Sequence, residues 1–142
     1  MELDLLGNCE FLESVDLPKS LTLIDRGVFF NCPALTQITI PENVTTIGVR
    51  TFNQCYNLLS VIIPESVTSI GDYAFDACSK LPSITIPECL TSIGDKAFNA
   101  CSKLSSTITI PEGVTHVGTG AFAGTSIKDI YWNAKDCSEC GT

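Results

Sequence analysis

Eight cysteines give this chain its greatest capacity for chemistry, because a thiol can form a disulfide, bind a metal ion or act as a nucleophile. Five of them recur at one constant interval, at Cys9, Cys32, Cys55, Cys78 and Cys101. One thiol per interval does not supply the clustered ligands that zinc requires, and side chains stacked in register point parallel instead of towards each other. We therefore expect a column of small, buried thiols that packs as part of the core.

A second thiol motif lies near the end of the sequence, where Cys137 and Cys140 form a C-x-x-C. A zinc site would need a second pair of ligands, and a thioredoxin-like redox site would need a β-α-β pattern around the motif. Neither is present in the sequence. A local disulfide in an oxidising compartment is the favoured interpretation, and two free thiols are the alternative.

Acid–base chemistry has little support in the sequence. The single histidine, His116, has no nucleophile or carboxylate column that the sequence places against it, so we interpret it as a surface residue and predict no enzymatic activity. A row of glutamates follows four prolines, at Glu42, Glu65, Glu88 and Glu112. The row is either a solvated edge, which is the simpler interpretation, or a groove for a basic partner or Ca²⁺. We predict no cofactor and no metal site.

The elements that position these residues come from an internal repeat. Prolines recur at the same interval as the cysteines, with one additional residue before the last of them, at Pro18, Pro41, Pro64, Pro87 and Pro111. Phenylalanines follow the same repeat, at Phe29, Phe52, Phe75, Phe98 and Phe122. A fixed period of about 20 to 50 residues is typical of a solenoid, in which each repeat, or rung, buries its apolar face against its neighbours. The repeat predicts a mainly β solenoid of about six rungs.

Each rung reads as three short segments. An I-x-I stretch before the proline alternates as a strand with one buried face, and the proline ends it. A second extended piece, V-T-x-I-G, follows, and A-F-x-x-C then has the spacing of a helical or 3₁₀ turn. The sixth rung is shortened so that Ile127, Ile130 and Trp132 take the apolar columns. We expect one solenoid over residues 1–132, a polar tail or partial cap over 133–142, and a longer parent protein.

The pattern L-x-x-I-x-I-P-x-x-V-T-x-I-G-x-x-A-F-x-x-C closely resembles the BspA-like class of leucine-rich repeat proteins over about residues 5–132. The resemblance implies a right-handed solenoid, a location on the cell surface or outside the cell, and a binding or adhesion module instead of a catalyst. It also implies that the position two residues after each proline faces inward. We therefore expect Cys89 to point inward and stay a thiol, and Asn43 to be too buried for its N-V-T sequon to be glycosylated.

Charge limits the class of partner. Eight basic and sixteen acidic side chains give a formal net charge of −8, which disfavours nucleic acid and anionic membrane surfaces. No apolar run approaches the roughly 18–20 residues that a membrane span requires. A neutral or basic protein is therefore the expected partner, and end-to-end self-association of the rungs is a second possibility.

The outward positions of the first strand are mostly polar, and one rung breaks the pattern. Ile62 stands where two neighbouring rungs have threonine, and Tyr56 and Leu59 precede it. Apolar side chains rimmed by hydroxyl groups resemble the core of an interface, although repeat drift would give the same pattern. The predicted protein-binding residues are Tyr56, Leu59, Ile62, Gln37, Thr39, Ser83 and Thr85.

Two other surface features carry weaker hypotheses. Phe30 and Tyr73 form a smaller apolar patch on another side of the rungs. A threonine column on the second extended face, at Thr22, Thr45, Thr68, Thr91 and Thr115, could match an ordered lattice such as ice. Ordinary β propensity also explains this column.

Overall fold

The computed structural model describes residues 6–133, which form a parallel β-solenoid of about five turns with about 23 residues per turn. This architecture confirms the predicted repeat fold. The strands are β1 (Leu23–Ile24), β2 (Gln37–Thr39), β3 (Thr46–Ile47), β4 (Ser60–Ile62), β5 (Ser69–Ile70), β6 (Ser92–Ile93), β7 (Ile108–Pro111), β8 (His116–Val117) and β9 (Ile130–Asn133). No helix in this range is long and apolar enough to cross a membrane.

The V-T-x-I-G segments build one continuous sheet, with strand order β1-β3-β5-β6-β8 and parallel pairing throughout. Ile47 pairs with Ile24 on one side and with Ile70 on the other, which is a step of one rung in each direction. The isoleucines of this column are fully or almost fully buried, while the residues before them face outward. The side chains of this segment therefore alternate between buried and outward-facing, as the sequence predicts.

The I-x-I segments form a less regular sheet, which we call the strand face. β2 pairs with β4, and β7 pairs with β9, but residues 83–86 of the fourth rung form no strand. Their Ile84 and Ile86 side chains are nevertheless buried. The rung that follows carries an additional residue before Ile108, and its strand pairs with β9 instead. The first rung also forms no strand before Pro18, so the strand face begins at the second rung and is interrupted at the fourth, although the sequence predicts a strand in both places.

The A-F-x-x-C segments are successive turns, not helices. In the third rung, the N–H groups of Ala74, Asp76 and Cys78 donate to the carbonyl oxygens three residues earlier. The intervening N–H groups of Phe75 and Ala77 donate instead to Ala97 and Asn99 on the next rung. Because alternate donors are used between rungs, hydrogen bonds join the rungs on this side of the solenoid as they do in the sheets.

Stacked phenylalanines fill the interior beside these turns. Neighbouring rings of the Phe29–Phe122 column lie 5.1–5.4 Å apart between centroids, with interplanar angles of 2–16°. The first four rings are fully buried, and Phe122 is half-buried. The buried leucine, isoleucine and cysteine columns pack around the stack. Each rung therefore contributes the same few side chains to one continuous core.

The sixth rung differs from its prediction. β9 pairs with β7 in the expected register, with Ile130 opposite Ile108 and Trp132 opposite Ile110. Ile130 is nevertheless 46% exposed and Trp132 is 63% exposed, so the prediction that they fill the apolar columns is wrong. β9 has a rung on only one of its sides within residues 6–133, which leaves these side chains uncovered. The predicted polar tail, with Cys137 and Cys140, lies outside the described residues.

Candidate functional site

Three large apolar side chains are exposed together on the third rung. Tyr56 is 41% exposed, Leu59 is 53% exposed and Ile62 is 58% exposed, and we call these residues the apolar patch. The fold places them there because Leu58 and Pro64 are buried and Ser60–Ile62 alternates between them. The Leu59 N–H donates to the Thr36 carbonyl at 2.8 Å, and the Asn57 amide donates to the Pro33 carbonyl at 2.6 Å. The patch thus stands on a backbone that is anchored to the second rung.

The predicted polar residues surround the patch on both neighbouring rungs. Gln37 and Thr39 are exposed and are the Cα partners of Ser60 and Ile62 in the β2–β4 pair. Ser83 and Thr85 are exposed on the interrupted fourth rung. All seven predicted binding residues therefore present side chains to solvent.

A groove of about 580 Å³ runs along the strand face on one side of the patch. Gln37, Thr39 and Ile62 line it, together with the first-rung residues Ser14 and Asp16. Tyr56, Leu59, Ser83 and Thr85 are not part of its lining. The structure thus brings three of the predicted residues into the groove and leaves four outside its lining.

Charges in the groove are few and mostly negative. Asp16, Glu42 and Lys19 line it, and none of the three forms an ion pair with another residue in the range 6–133. Two carboxylates against one ammonium leave the groove with a small negative excess. A neutral or basic surface would meet it without electrostatic repulsion.

The cysteine column carries no reactive site within the described residues. Cys32, Cys55, Cys78 and Cys101 are buried free thiols, and Cys9 is a partly buried one, which confirms the core prediction. The Cys78 thiol donates to the Phe52 carbonyl on the rung before, at 3.2 Å. Burial raises the pKa of Cys55 and of Cys101 to about 12 and raises that of Cys78 well above its usual range. Because the thiolate is the nucleophile, these protonated thiols are inert.

Two predictions about the position two residues after the proline are wrong. Cys89 is disulfide-bonded and does not remain a thiol. It is only half-buried, so its sulfur can meet a partner that does not belong to the stacked column. Asn43 is exposed instead of buried, and its amide donates to the Lys19 carbonyl at 2.8 Å. The residues two positions after the prolines are therefore less buried than the resemblance implies.

Of the remaining candidates for chemistry, His116 lines a cavity of about 260 Å³ with Ser69, Ser92 and Asp72, but no side-chain hydrogen bond within residues 6–133 joins it to them. His116 is exposed on β8, and Ser92 is its Cα partner. Within residues 6–133, no three His, Cys, Asp or Glu side chains converge as metal ligands. A Glu65 carboxylate oxygen accepts a hydrogen bond from the Glu88 N–H at 2.8 Å, which gives part of the acidic row a structural role.

The threonine column is bonded to the rungs themselves. The hydroxyl groups of Thr68 and Thr91 donate to the Thr45 and Thr68 carbonyls, at 3.2 and 2.9 Å. Each hydroxyl therefore uses its only donor on the previous rung. This arrangement favours the structural interpretation of the column over the ice-lattice one.

One surface feature was not predicted from the sequence. Both arginines of the chain, Arg26 and Arg50, line a second cavity of about 340 Å³ together with Phe30. The two arginines are separated along the chain by one residue more than the repeat length. This spacing places them in neighbouring columns of adjacent rungs, and it is the sequence signal that could have predicted the pair.

Comparison with known proteins agrees with the architecture. A family model described as the BspA type leucine rich repeat region matches six copies over residues 22–139. A leucine-rich repeat protein from T. pallidum shares 28% sequence identity with a TM-score of 0.75, over 83% of this chain and 55% of that one. A leucine-rich repeat protein from Bacteroides ovatus shares 40% identity with a TM-score of 0.74, over 79% of this chain and 29% of that one.

A leucine rich cell surface protein from Faecalibacterium prausnitzii shares 32% identity with a TM-score of 0.65, over 80% of this chain and 37% of that one. The chain thus spans only 29–55% of the length of these relatives. A search of curated protein sequences finds no match. The repeat columns, the solenoid and the matched model agree, and the chain belongs to the BspA-type leucine-rich repeat family.

Proposed function

We propose that this chain is a protein-binding module, not an enzyme, and that its partner docks on the strand face at the apolar patch. The observation that carries the proposal is the joint exposure of Tyr56, Leu59 and Ile62 on one interior rung, with exposed polar residues on the rungs to either side. Leucine-rich repeat proteins generally bind proteins, and exposed apolar groups inside a polar rim have the composition of an interface core.

The surroundings of the patch fit the same role. Gln37, Thr39, Ser83 and Thr85 are small or medium polar side chains that can exclude water around a docked partner and form hydrogen bonds to it. The groove beside Ile62 adds a concave surface into which a side chain of the partner can insert. An interface that combines an aromatic anchor, aliphatic neighbours and a hydroxyl rim matches the arrangement of binding hot spots.

The proposed location is the cell surface or the extracellular space, where the module would contribute to adhesion. Support comes from the relative in Faecalibacterium prausnitzii, which is described as a cell surface protein. Disulfide bonding at Cys89 is consistent with an oxidising compartment. The expected ligand is therefore a matrix or cell-surface protein with a neutral or basic surface.

A structural role is the second candidate, in which the rungs extend or oligomerise a longer protein. The exposure of β9 favours this structural role, because the last described strand carries three exposed apolar side chains. Ile130 is 46% exposed, Tyr131 is 58% exposed and Trp132 is 63% exposed. An exposed strand edge pairs readily with another chain. Light scattering over a range of concentrations tests this role, and a monomer at high concentration would count against stacking.

A pull-down from matrix or cell-surface extracts tests the binding proposal. Wild type, Ile62→Asp and Thr68→Asp would be compared, since Thr68 is exposed beside β5, in the other sheet of the same rung. We expect wild type and Thr68→Asp to capture the same protein and Ile62→Asp to lose it. Loss with Thr68→Asp alone would contradict the site assignment, and no capture at all would favour the structural role.

A further inference from the structure

We propose that the cavity lined by Arg26, Arg50 and Phe30 binds an oxyanion group, namely a carboxylate, a sulfate or a phosphate. The cavity lies on the turns that follow the five-stranded sheet, and none of its residues belongs to the apolar patch. The inference is therefore independent of the protein-binding proposal.

The geometry places both arginines at one opening. Arg26 belongs to the first rung and Arg50 to the second, and adjacent rungs of a sheet lie roughly 4.8 Å apart. The Gly27 N–H donates to the Val49 carbonyl at 3.0 Å and fixes the two turns relative to each other. Gly7, Asn8 and Gly27 complete the lining with short or absent side chains, which leaves a volume of about 340 Å³.

Neither arginine has a direct ion-pair partner in the described part of the chain. The chain carries sixteen acidic residues, yet neither Arg26 nor Arg50 forms an ion pair within residues 6–133. The carboxylates of Asp25 and Asp72 accept hydrogen bonds from backbone groups instead. Asp25 accepts the Arg26 N–H at 2.6 Å, and Asp72 accepts the Asp95 N–H at 2.8 Å. Two guanidinium groups without a direct ion-pair partner at one opening repel each other, and an anion between them would relieve that repulsion.

Arg50 is already held in place. Its guanidinium lies over the Tyr73 ring, 5.3 Å from the centroid, and the Lys96 ammonium lies 5.7 Å from the same centroid. Stacking on an aromatic face leaves the N–H groups at the edge of the guanidinium plane available to an acceptor. Less side-chain entropy is then lost when an anion binds.

The chemistry of the ligand follows from the donor set. Guanidinium groups match the oxygen spacing of carboxylates, sulfates and phosphates and bind them with two parallel hydrogen bonds. Phe30 is half-buried and forms an apolar wall, which suits a ligand that carries the oxyanion on a small organic body. A cation would be repelled, and a purely apolar ligand would leave both arginines without an acceptor.

Nuclear magnetic resonance tests the proposal directly, because the side-chain Nε–Hε region of a chain with two arginines contains two signals. The protein would be titrated separately with sodium acetate, sodium sulfate and sodium phosphate, each against sodium chloride at equal ionic strength. We expect saturable shifts of both signals and of the Gly27 N–H, with at least one oxyanion and not with chloride. The oxyanion with the largest shift identifies the group that the cavity prefers.

Three variants complete the test. Arg26→Gln and Arg50→Gln should each weaken the binding about tenfold, and Lys103→Gln, on an exposed turn of a later rung, should leave it unchanged. Unaltered backbone spectra would show that each variant is folded. The proposal is overturned if no oxyanion shifts the arginine signals beyond chloride, or if binding survives both arginine substitutions. Neither outcome bears on the apolar patch.

Discussion

Replacing Gly71 by alanine should separate the rungs of the solenoid. A Cβ atom at Gly71 would lie 2.7 Å from the Val49 nitrogen and 2.8 Å from the Gly48 carbonyl carbon, both of which are backbone atoms of the rung before. Ordinary van der Waals contact begins at 3.4 Å, so the two rungs would have to move apart by several tenths of an ångström. Gly71 is therefore required for close approach of the backbone and not for a positive φ.

The cost follows from the bonds that resist this movement. The Gly71 N–H donates to the Ile47 carbonyl at 2.8 Å, and the Gly94 N–H repeats the bond to Ile70 one rung later. Overpacking of a rigid interior costs about 1–3 kcal/mol, and we expect about 2–3 kcal/mol here because both clashing atoms are backbone. Urea denaturation followed by circular dichroism measures the loss in the free energy of unfolding.

Gly27→Ala is the matched control, because the reason for its glycine is the opposite. Its φ is +67°, and the nearest atom to an added Cβ is the Phe30 Cβ at 3.8 Å, so only the left-handed backbone opposes the substitution. That penalty is about 1 kcal/mol. The reasoning is refuted if Gly71→Ala costs no more than Gly27→Ala.

Two further predictions concern the core. Phe75→Ala should lower the free energy of unfolding by about 3–5 kcal/mol, because the Phe75 ring stacks on Phe52 and Phe98 at centroid distances of 5.1 and 5.2 Å. Phe122→Ala should lower it by less, because Phe122 is only half-buried. Equal shifts of the urea midpoint for the two variants would contradict this prediction. Raising the pH from 9.0 towards 12 should lower the free energy of unfolding, because burial raises the folded-state pKa of Cys55 and Cys101 to about 12 and the unfolded chain releases its thiol protons first. The loss should approach ~1.4 kcal/mol per pH unit for each thiol. Thermal melts of a Cys55→Ser/Cys101→Ser variant should show a shallower decline, and an identical decline would exclude the thiols as its cause.

The sequence predicts the interior well because each buried column repeats the same type of residue in successive rungs. Leu58, Phe52 and Cys55 occupy positions whose counterparts one repeat away are of the same type, so a solenoid buries all of them together. The outward position of Ile62 follows from the alternation of β4 around the half-buried Val61.

Features that occur once were not predictable in the same way. Cys89 has no counterpart in the other rungs, and whether a thiol forms a disulfide depends on tertiary distances that no repeat encodes. Trp132 follows the apolar column but has a rung on one side only within residues 6–133, so its position in the pattern did not predict its exposure. The arginine cavity depends on side chains from two adjacent columns, which a comparison within each column does not detect.

The measurement that tests the central claim most directly is the dissociation constant of the captured partner for wild type, Ile62→Asp and Thr68→Asp. An unpaired charge introduced at the centre of a desolvated interface typically costs about 2 kcal/mol or more. We predict that Ile62→Asp weakens binding by about a hundredfold, which corresponds to ~2.7 kcal/mol, and that Thr68→Asp stays within about twofold of wild type. Equal affinities of wild type and Ile62→Asp would contradict the assignment of the binding site to the apolar patch.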